Sequence, residues 1–108
     1  MTTKEQELLT MFSKVAPQFH NLTLDVLFGE VWTEQTLTQR ERSLITVAAL
    51  VSLNRVEQLP GHLTRALSNG ISVEELSATI THLAFYTGWP TAASAIERLG
   101  EMNTLRDC

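Results

Sequence analysis

Cysteine is nearly absent, with Cys108 the single one in 108 residues. One thiol forms neither an intramolecular disulfide nor a CxxC redox pair. A catalytic thiolate needs a positioned electropositive site, so a thiol at the last position reads as exposed and incidental. Basic charge is also scarce. Eight Lys and Arg stand against 12 Asp and Glu, for a net charge of −4, and no basic block occurs. Nucleic acid and anionic membrane surfaces both require a basic patch, so neither is an expected partner. No apolar run approaches the ~20 residues of a membrane span. The segment Met1–Glu7 is polar and lacks a signal peptide's apolar stretch, so the expectation is a cytoplasmic protein. There is no Cys pair, Glu-x-x-His or HExxH pattern to hold a metal, and no glycine-rich phosphate loop. No cofactor is expected. Ser43 and Ser68 lack the surroundings of a nucleophile elbow. Strand-type alternation with hairpin turns is missing as well.

What remains is helical. The hydrophobic fraction of 44% suits a soluble globular chain, and the length suits a single domain spanning residues 1–108. Leu8, Leu9, Phe12 and Val15 recur at helical spacing over residues 4–15. Pro17 interrupts this helix or opens the next. A more apolar helical segment then runs from Phe19 to Phe28, and Gly29 is expected to loosen its end. Glu30 to Leu37 shows no clear period. Thr38-Gln39-Arg40-Glu41 matches a capping box, so a helix is expected from there to about Leu53. Its body, Leu44 to Val51, is apolar nearly all round, which predicts burial on most sides, partly by a neighbouring subunit.

Asn54 and Arg55 make a turn. Pro60 fits the first turn of a helix from about Leu59 to Asn69, closed by Gly70. Ser72-Val73-Glu74-Glu75 is a second capping box, opening a helix to Tyr86 or Thr87 that Gly88 ends. Pro90 fits the start of a last helix, Thr91 to about Met102, with Ala93, Ile96 and Leu99 facing inward. Asn103 to Cys108 is expected to fray. The fold class is therefore all-α, with about six helices joined by short turns.

Chemistry concentrates between Arg55 and Trp89. His82 and Tyr86 are four apart and share a helix face, which Trp89 extends if the helix reaches it. Such a face suits a small planar acid, or else it is half-buried packing. His62 lies near a helix start, where backbone N–H groups favour anions. Its imidazole suits general acid–base work. Arg65 sits within a turn of His62, and Arg42 follows Glu41. An arginine can hold a carboxylate in bidentate fashion, although Arg40, Arg42 and Arg65 also fit solvated surface charges.

The run Leu37 to Arg55, the segment Leu59-Pro60-Gly61-His62 through Asn69-Gly70, and His82-Leu83-Ala84-Phe85-Tyr86-Thr87-Gly88-Trp89-Pro90 together resemble the carboxymuconolactone decarboxylase family. The likeness covers about Phe28 to Ile96. It implies an all-α, alkylhydroperoxidase D-like fold whose helices interlock between subunits, as a homo-oligomer such as a hexamer or trimer. The family's peroxidase branch uses a CxxC pair four residues before a histidine. His62 falls at that histidine, but Arg55 and Gln58 stand at the cysteine positions and Ser43 at about the relay glutamate. The resemblance thus favours the decarboxylase branch over dithiol chemistry, even where a label of peroxiredoxin activity is attached to the family. This chain departs from the decarboxylase pattern at Glu57-Gln58-Leu59 and at Ala78. The expected activity is a cofactor-independent lyase on a small lactone or carboxylic acid. His62 is the expected general acid–base. Arg42 or Arg55 holds a substrate carboxylate, and His82, Tyr86 and Trp89 line the pocket. The rivals are a thiol peroxidase and a non-catalytic oligomeric binding protein.

Overall fold

A computed structural model describes the backbone of residues 3–107 and the side chains of residues 5–102. Cys108 lies outside the described residues. The described residues form six α-helices: α1 (Thr3–Val15), α2 (Pro17–Leu22), α3 (Gln39–Ser52), α4 (Leu59–Ser68), α5 (Val73–Thr87) and α6 (Trp89–Asp107). A π-helical segment, Thr23–Val31, continues directly from α2. No strand occurs among the described residues. The chain divides into two compact units, residues 1–39 and residues 40–108.

In the first unit α1 turns into α2 at Ala16, and Pro17 takes the first helical position, where its missing N–H is not needed. Phe12 and Phe19 meet edge to face across this turn, with centroids 5.1 Å apart. Leu9 and Phe12 are half-buried, whereas Leu8, Met11 and Val15 are exposed, so only part of the predicted apolar stripe is covered. Gly29 does not loosen the second helix. The backbone runs through it in π geometry to Val31, and the Trp32 N–H donates to the Leu27 carbonyl at 2.9 Å. Nine residues of this geometry is long for a form that ordinarily appears as a single-turn bulge. Trp32 is buried and packs its ring against Phe28, and its carbonyl accepts from the Gln39 side chain.

The second unit packs four helices around one core. Its centre is Val47 and Val51 of α3, Leu59, Leu63 and Ala66 of α4, Leu76, Ile80 and Ala84 of α5, and Ala92, Ala95 and Leu99 of α6. The buried positions recur every three to four residues along each helix, as one face of a 3.6-residue period requires. Burying a side chain such as Leu63 contributes roughly 1.5–3 kcal/mol. In a single chain α3 buries only the row Ser43, Val47, Val51, while Ile45 and Leu53 are exposed. The all-round burial expected of this helix is therefore not met within one chain.

Local signals set the helix ends. Asn54 adopts a left-handed backbone (φ 57°) and turns α3 toward α4. Gly70 (φ 95°) closes α4 and Gly88 (φ 102°) closes α5, conformations that glycine adopts without steric penalty. Ser72 and Glu75 form the reciprocal capping box that opens α5. The inward face of α6 differs from the expectation. Ala92, Ala95 and Leu99 are buried, whereas Ala93 and Ile96 are exposed. The smallest residues face α5 and α4, against which α6 packs, and let the backbones approach closely. The helix also continues to Asp107, past the expected fraying point at Asn103.

Candidate functional site

His62 lies in the first turn of α4, just after Pro60. The residues of α4 divide into two adjoining stripes. Leu59, Leu63 and Ala66 are fully buried, whereas His62, Arg65 and Asn69, at i, i+3 and i+7, are part-buried. This polar stripe runs along the edge of the core. Asn69 donates its side-chain amide to the Ser43 hydroxyl at 2.8 Å, tying the end of α4 to the first turns of α3. A short turn joins the two helices, and the Asn69–Ser43 bond brings the end of α4 back to the start of α3. The His62–Arg65–Asn69 stripe therefore borders the seam between them. On the α3 side of the seam stand Ser43, which is buried, and Arg42 and Thr46, which are part-buried. The Thr46 hydroxyl donates to the Arg42 carbonyl at 2.8 Å.

Three polar atoms beside this seam are shielded from solvent: His62 Nδ1, Arg65 Nε and Arg42 Nε. Each of the three side chains is engaged by other groups of the protein. Arg42 and Arg65 are thus not the freely solvated charges that isolated arginines usually are. Arg40 is also engaged, through an ion pair with Glu75 at the start of α5. Glu75 holds two partners at once, because its other carboxylate oxygen accepts the Ser72 N–H at 3.0 Å. Hydrogen bonding to the Ser72 backbone, and then the Arg40 guanidinium, hold its carboxyl below the ordinary value of 4.5. Sequence spacing carries no signal for the Arg40–Glu75 pair, whose members lie 35 residues apart.

The other predicted site residues lie elsewhere. Arg55 is exposed in the turn between α3 and α4, where its backbone N–H donates to the Leu50 carbonyl at 2.8 Å. His82 and Tyr86 do come together, with ring centroids 5.0 Å apart. Both are exposed, because they lie on the side of α5 away from Leu76, Ile80 and Ala84. Trp89 does not extend their row. Gly88 breaks the helix first, and Trp89 instead meets Phe85 edge to face at 5.9 Å. Phe85, Tyr86 and Trp89 make an aromatic corner, each at least 65% exposed. A hollow of about 480 Å³ along α1, between Gln6 and Val15, contains none of the predicted site residues. Among the described residues no group of three His, Cys, Asp or Glu could hold a metal ion, and no helix is long and apolar enough to cross a membrane.

The described residues are thus all-helical, with a histidine-bearing seam and a Gly-Trp-Pro corner. The sequence profile of the carboxymuconolactone decarboxylase family matches residues 17–101, and the chain belongs to that family. It is 34% identical over 84 residues to a 4-carboxymuconolactone decarboxylase of Acinetobacter baylyi, covering 78% of this chain and 63% of that protein. It is 29% identical over 69 residues to a nitrosuccinic acid decarboxylase of Metarhizium robertsii, covering 64% of this chain and 48% of that protein. The chain thus matches 63% of the length of the first of these relatives and 48% of the second.

Proposed function

We propose that this protein is a cofactor-independent decarboxylase of a small lactone or carboxylic acid, with His62 as its general acid–base. The observation that carries the reading is the placement of His62. Its imidazole is part-buried at the edge of the core, one ring nitrogen is out of solvent, and arginines stand on both sides of the seam. Two relatives named for decarboxylation support the reaction type. Loss of CO2 breaks a carbon–carbon bond and leaves its electron pair on carbon. A carbonyl conjugated to that carbon can accept the pair as an enolate. His62 then delivers a proton to the carbon, and the lactone or acid is released with one carboxyl fewer.

Of the two arginines expected to hold a substrate carboxylate, Arg42 is part-buried beside the seam and Arg55 is exposed in a turn, and the reading keeps Arg42. His82, Tyr86 and Trp89 are exposed in one chain, so they line the pocket only where a second subunit meets the first. The reading therefore includes a homo-oligomer, a hexamer or trimer, and the uncovered Ile45, Leu53, Phe85 and Trp89 support it.

The test is turnover of 4-carboxymuconolactone by the wild type and by His62→Gln. Loss of a general acid–base lowers kcat by about 10²–10⁴-fold. Turnover unchanged in H62Q removes His62 from the chemistry. A wild type inert toward lactone acids leaves the fold serving as a binding scaffold.

A further inference from the structure

We propose that Arg65 is a substrate-binding residue. In this proposal it grips the carboxylate of the acid on which His62 works, Arg42 closes the same seam from α3, and Arg55 takes no part. The proposal rests on the reading of His62 given above and assigns the anion-binding role within it.

Three observations converge on Arg65. First, it follows His62 by three residues on α4, so the two side chains leave the same face with Cβ atoms about 5–6 Å apart. A small acid can therefore place its carboxylate on the guanidinium and its reacting carbon at the imidazole. Second, Arg65 Nε and His62 Nδ1 are both shielded from solvent, beside Leu59, Leu63 and Ala66, which are fully buried. A charge-assisted hydrogen bond is stronger there than in water. The fork of a guanidinium also fixes the orientation of a carboxylate as well as its position. Third, the start of α3 is held in place at the Asn69 end of this stripe. Asn69, four residues beyond Arg65, is bonded to Ser43, and Arg42 directly precedes Ser43 on α3. The Arg40–Glu75 pair holds the start of α3 against α5. Arg42 thus sits between two tethered residues.

Arg55 has none of these features. It is exposed in a turn, where a guanidinium is screened by water and salt and gives up side-chain freedom on binding.

The experiment compares Arg65→Gln, Arg65→Lys, Arg42→Gln and Arg55→Gln in turnover of 4-carboxymuconolactone, with folding followed by far-ultraviolet circular dichroism. Loss of a hydrogen-bonded charge predicts a fall in kcat/KM of about 10–150-fold for R65Q, mostly through KM. R65K keeps the charge without the fork and falls between R65Q and the wild type. R42Q loses activity in the same direction, and R55Q stays within about threefold of the wild type. R65Q within threefold of the wild type, or R55Q carrying the loss, overturns the proposal. A second readout needs no turnover. In protein labelled with ¹⁵N-arginine, 4-carboxymuconolactone and succinate are titrated in turn and the Nε–H signals followed. A shift of the Arg65 signal, assigned through its absence in R65K, supports the proposal even if R65Q does not fold. A shift confined to Arg55, or no shift with either acid, overturns it. An inert wild type whose Arg65 signal still moves defeats the decarboxylase reading while the anion site stands.

Discussion

Asn69 and Ser43 are joined by one side-chain hydrogen bond of 2.8 Å, 26 residues apart in the chain. Ser43 is 1% exposed and is the only polar or charged side chain among the buried described residues. The bond is therefore a polar tie between α3 and α4, and it closes one end of the seam that carries His62. Asn69→Ala strands the Ser43 hydroxyl away from water. Leaving a buried polar group unsatisfied costs about 1–3 kcal/mol, and the urea midpoint of N69A is expected to fall accordingly. Ser43→Ala costs less, because the part-buried Asn69 amide turns to solvent. The double variant S43A/N69A then recovers part of the N69A loss, because the stranded hydroxyl is gone, and a double-mutant cycle measures the coupling. Strict additivity of the two losses would mean that the bond contributes nothing.

Glu75 makes a different kind of link, between the cap of α5 and Arg40 on α3. Its folded-state carboxyl titrates below the ordinary 4.5, through the Ser72 N–H first and Arg40 second. A depressed folded value means that the unfolded chain binds the proton more readily. Stability from this group is then complete above the unfolded value and is lost as pH falls through the folded one. Glu75→Gln keeps the shape of the cap and removes the charge. The expected outcome is a lower Tm for E75Q at pH 7 and a gap from the wild type that closes as pH drops below about 4. Melting curves collected between pH 7 and pH 3 check this. A constant gap at all pH values would assign the difference to packing rather than charge. The pair is exposed on both sides, so the difference shrinks with added salt.

Ser72 and Glu75 also mark the limit of what spacing reveals. Their capping box is local, its two members three positions apart, and was legible as a pattern. So were Gly70 and Gly88, because only a left-handed backbone makes a glycine useful at the end of an apolar run. The existence and order of the helices followed from such signals. The inward face of α6 did not. With alanine at 92, 93 and 95 and Ile96 the largest residue near them, periodicity favoured the bulky side chain. Close packing against α5 and α4 selected the small ones instead. The candidate site divides in the same way. His62 and Arg65 are one turn apart and were visible as neighbours. The Ser43–Asn69 and Arg40–Glu75 links join residues far apart in sequence, and no local pattern encodes them. The row from His82 through Tyr86 to Trp89 failed at Gly88, where the chain starts a new helix and hands Trp89 to Phe85.

The aromatic corner yields a prediction about assembly. Phe85 and Tyr86 are 77% and 76% exposed and Trp89 is 65% exposed, a cluster that a lone soluble chain rarely leaves open. If a second copy covers it, Phe85→Glu places a charge in an apolar contact and lowers the oligomer's mass in light scattering. The far-ultraviolet spectrum is expected to stay helical, since Phe85 faces away from the core of its own chain. In the decarboxylase reading F85E also loses turnover, because His82 and Tyr86 on the same corner then face water. A wild-type chain that is monomeric at all concentrations would remove both expectations and with them the pocket role of Trp89.

Two glycines inside helices separate the π-helical segment from ordinary α-helix. Replacing a helical glycine with alanine ordinarily raises stability by about 0.5–1 kcal/mol, because alanine has less backbone freedom to lose. Gly100 lies within α6, and a Cβ there meets nothing within 4 Å. Gly100→Ala is therefore expected to raise the urea midpoint. A Cβ on Gly29 would stand 3.0 Å from the Leu24 carbonyl oxygen, five residues earlier, and that atom is backbone rather than a yielding side-chain tip. The π winding itself brings this carbonyl under position 29. Gly29→Ala must then push the carbonyl aside or drive the segment toward α geometry, and either response offsets the usual gain. The expected result is a stability equal to or below that of the wild type, opposite in sign to G100A. A stabilisation of G29A as large as that of G100A would mean that the segment from Thr23 to Val31 winds as α-helix in solution.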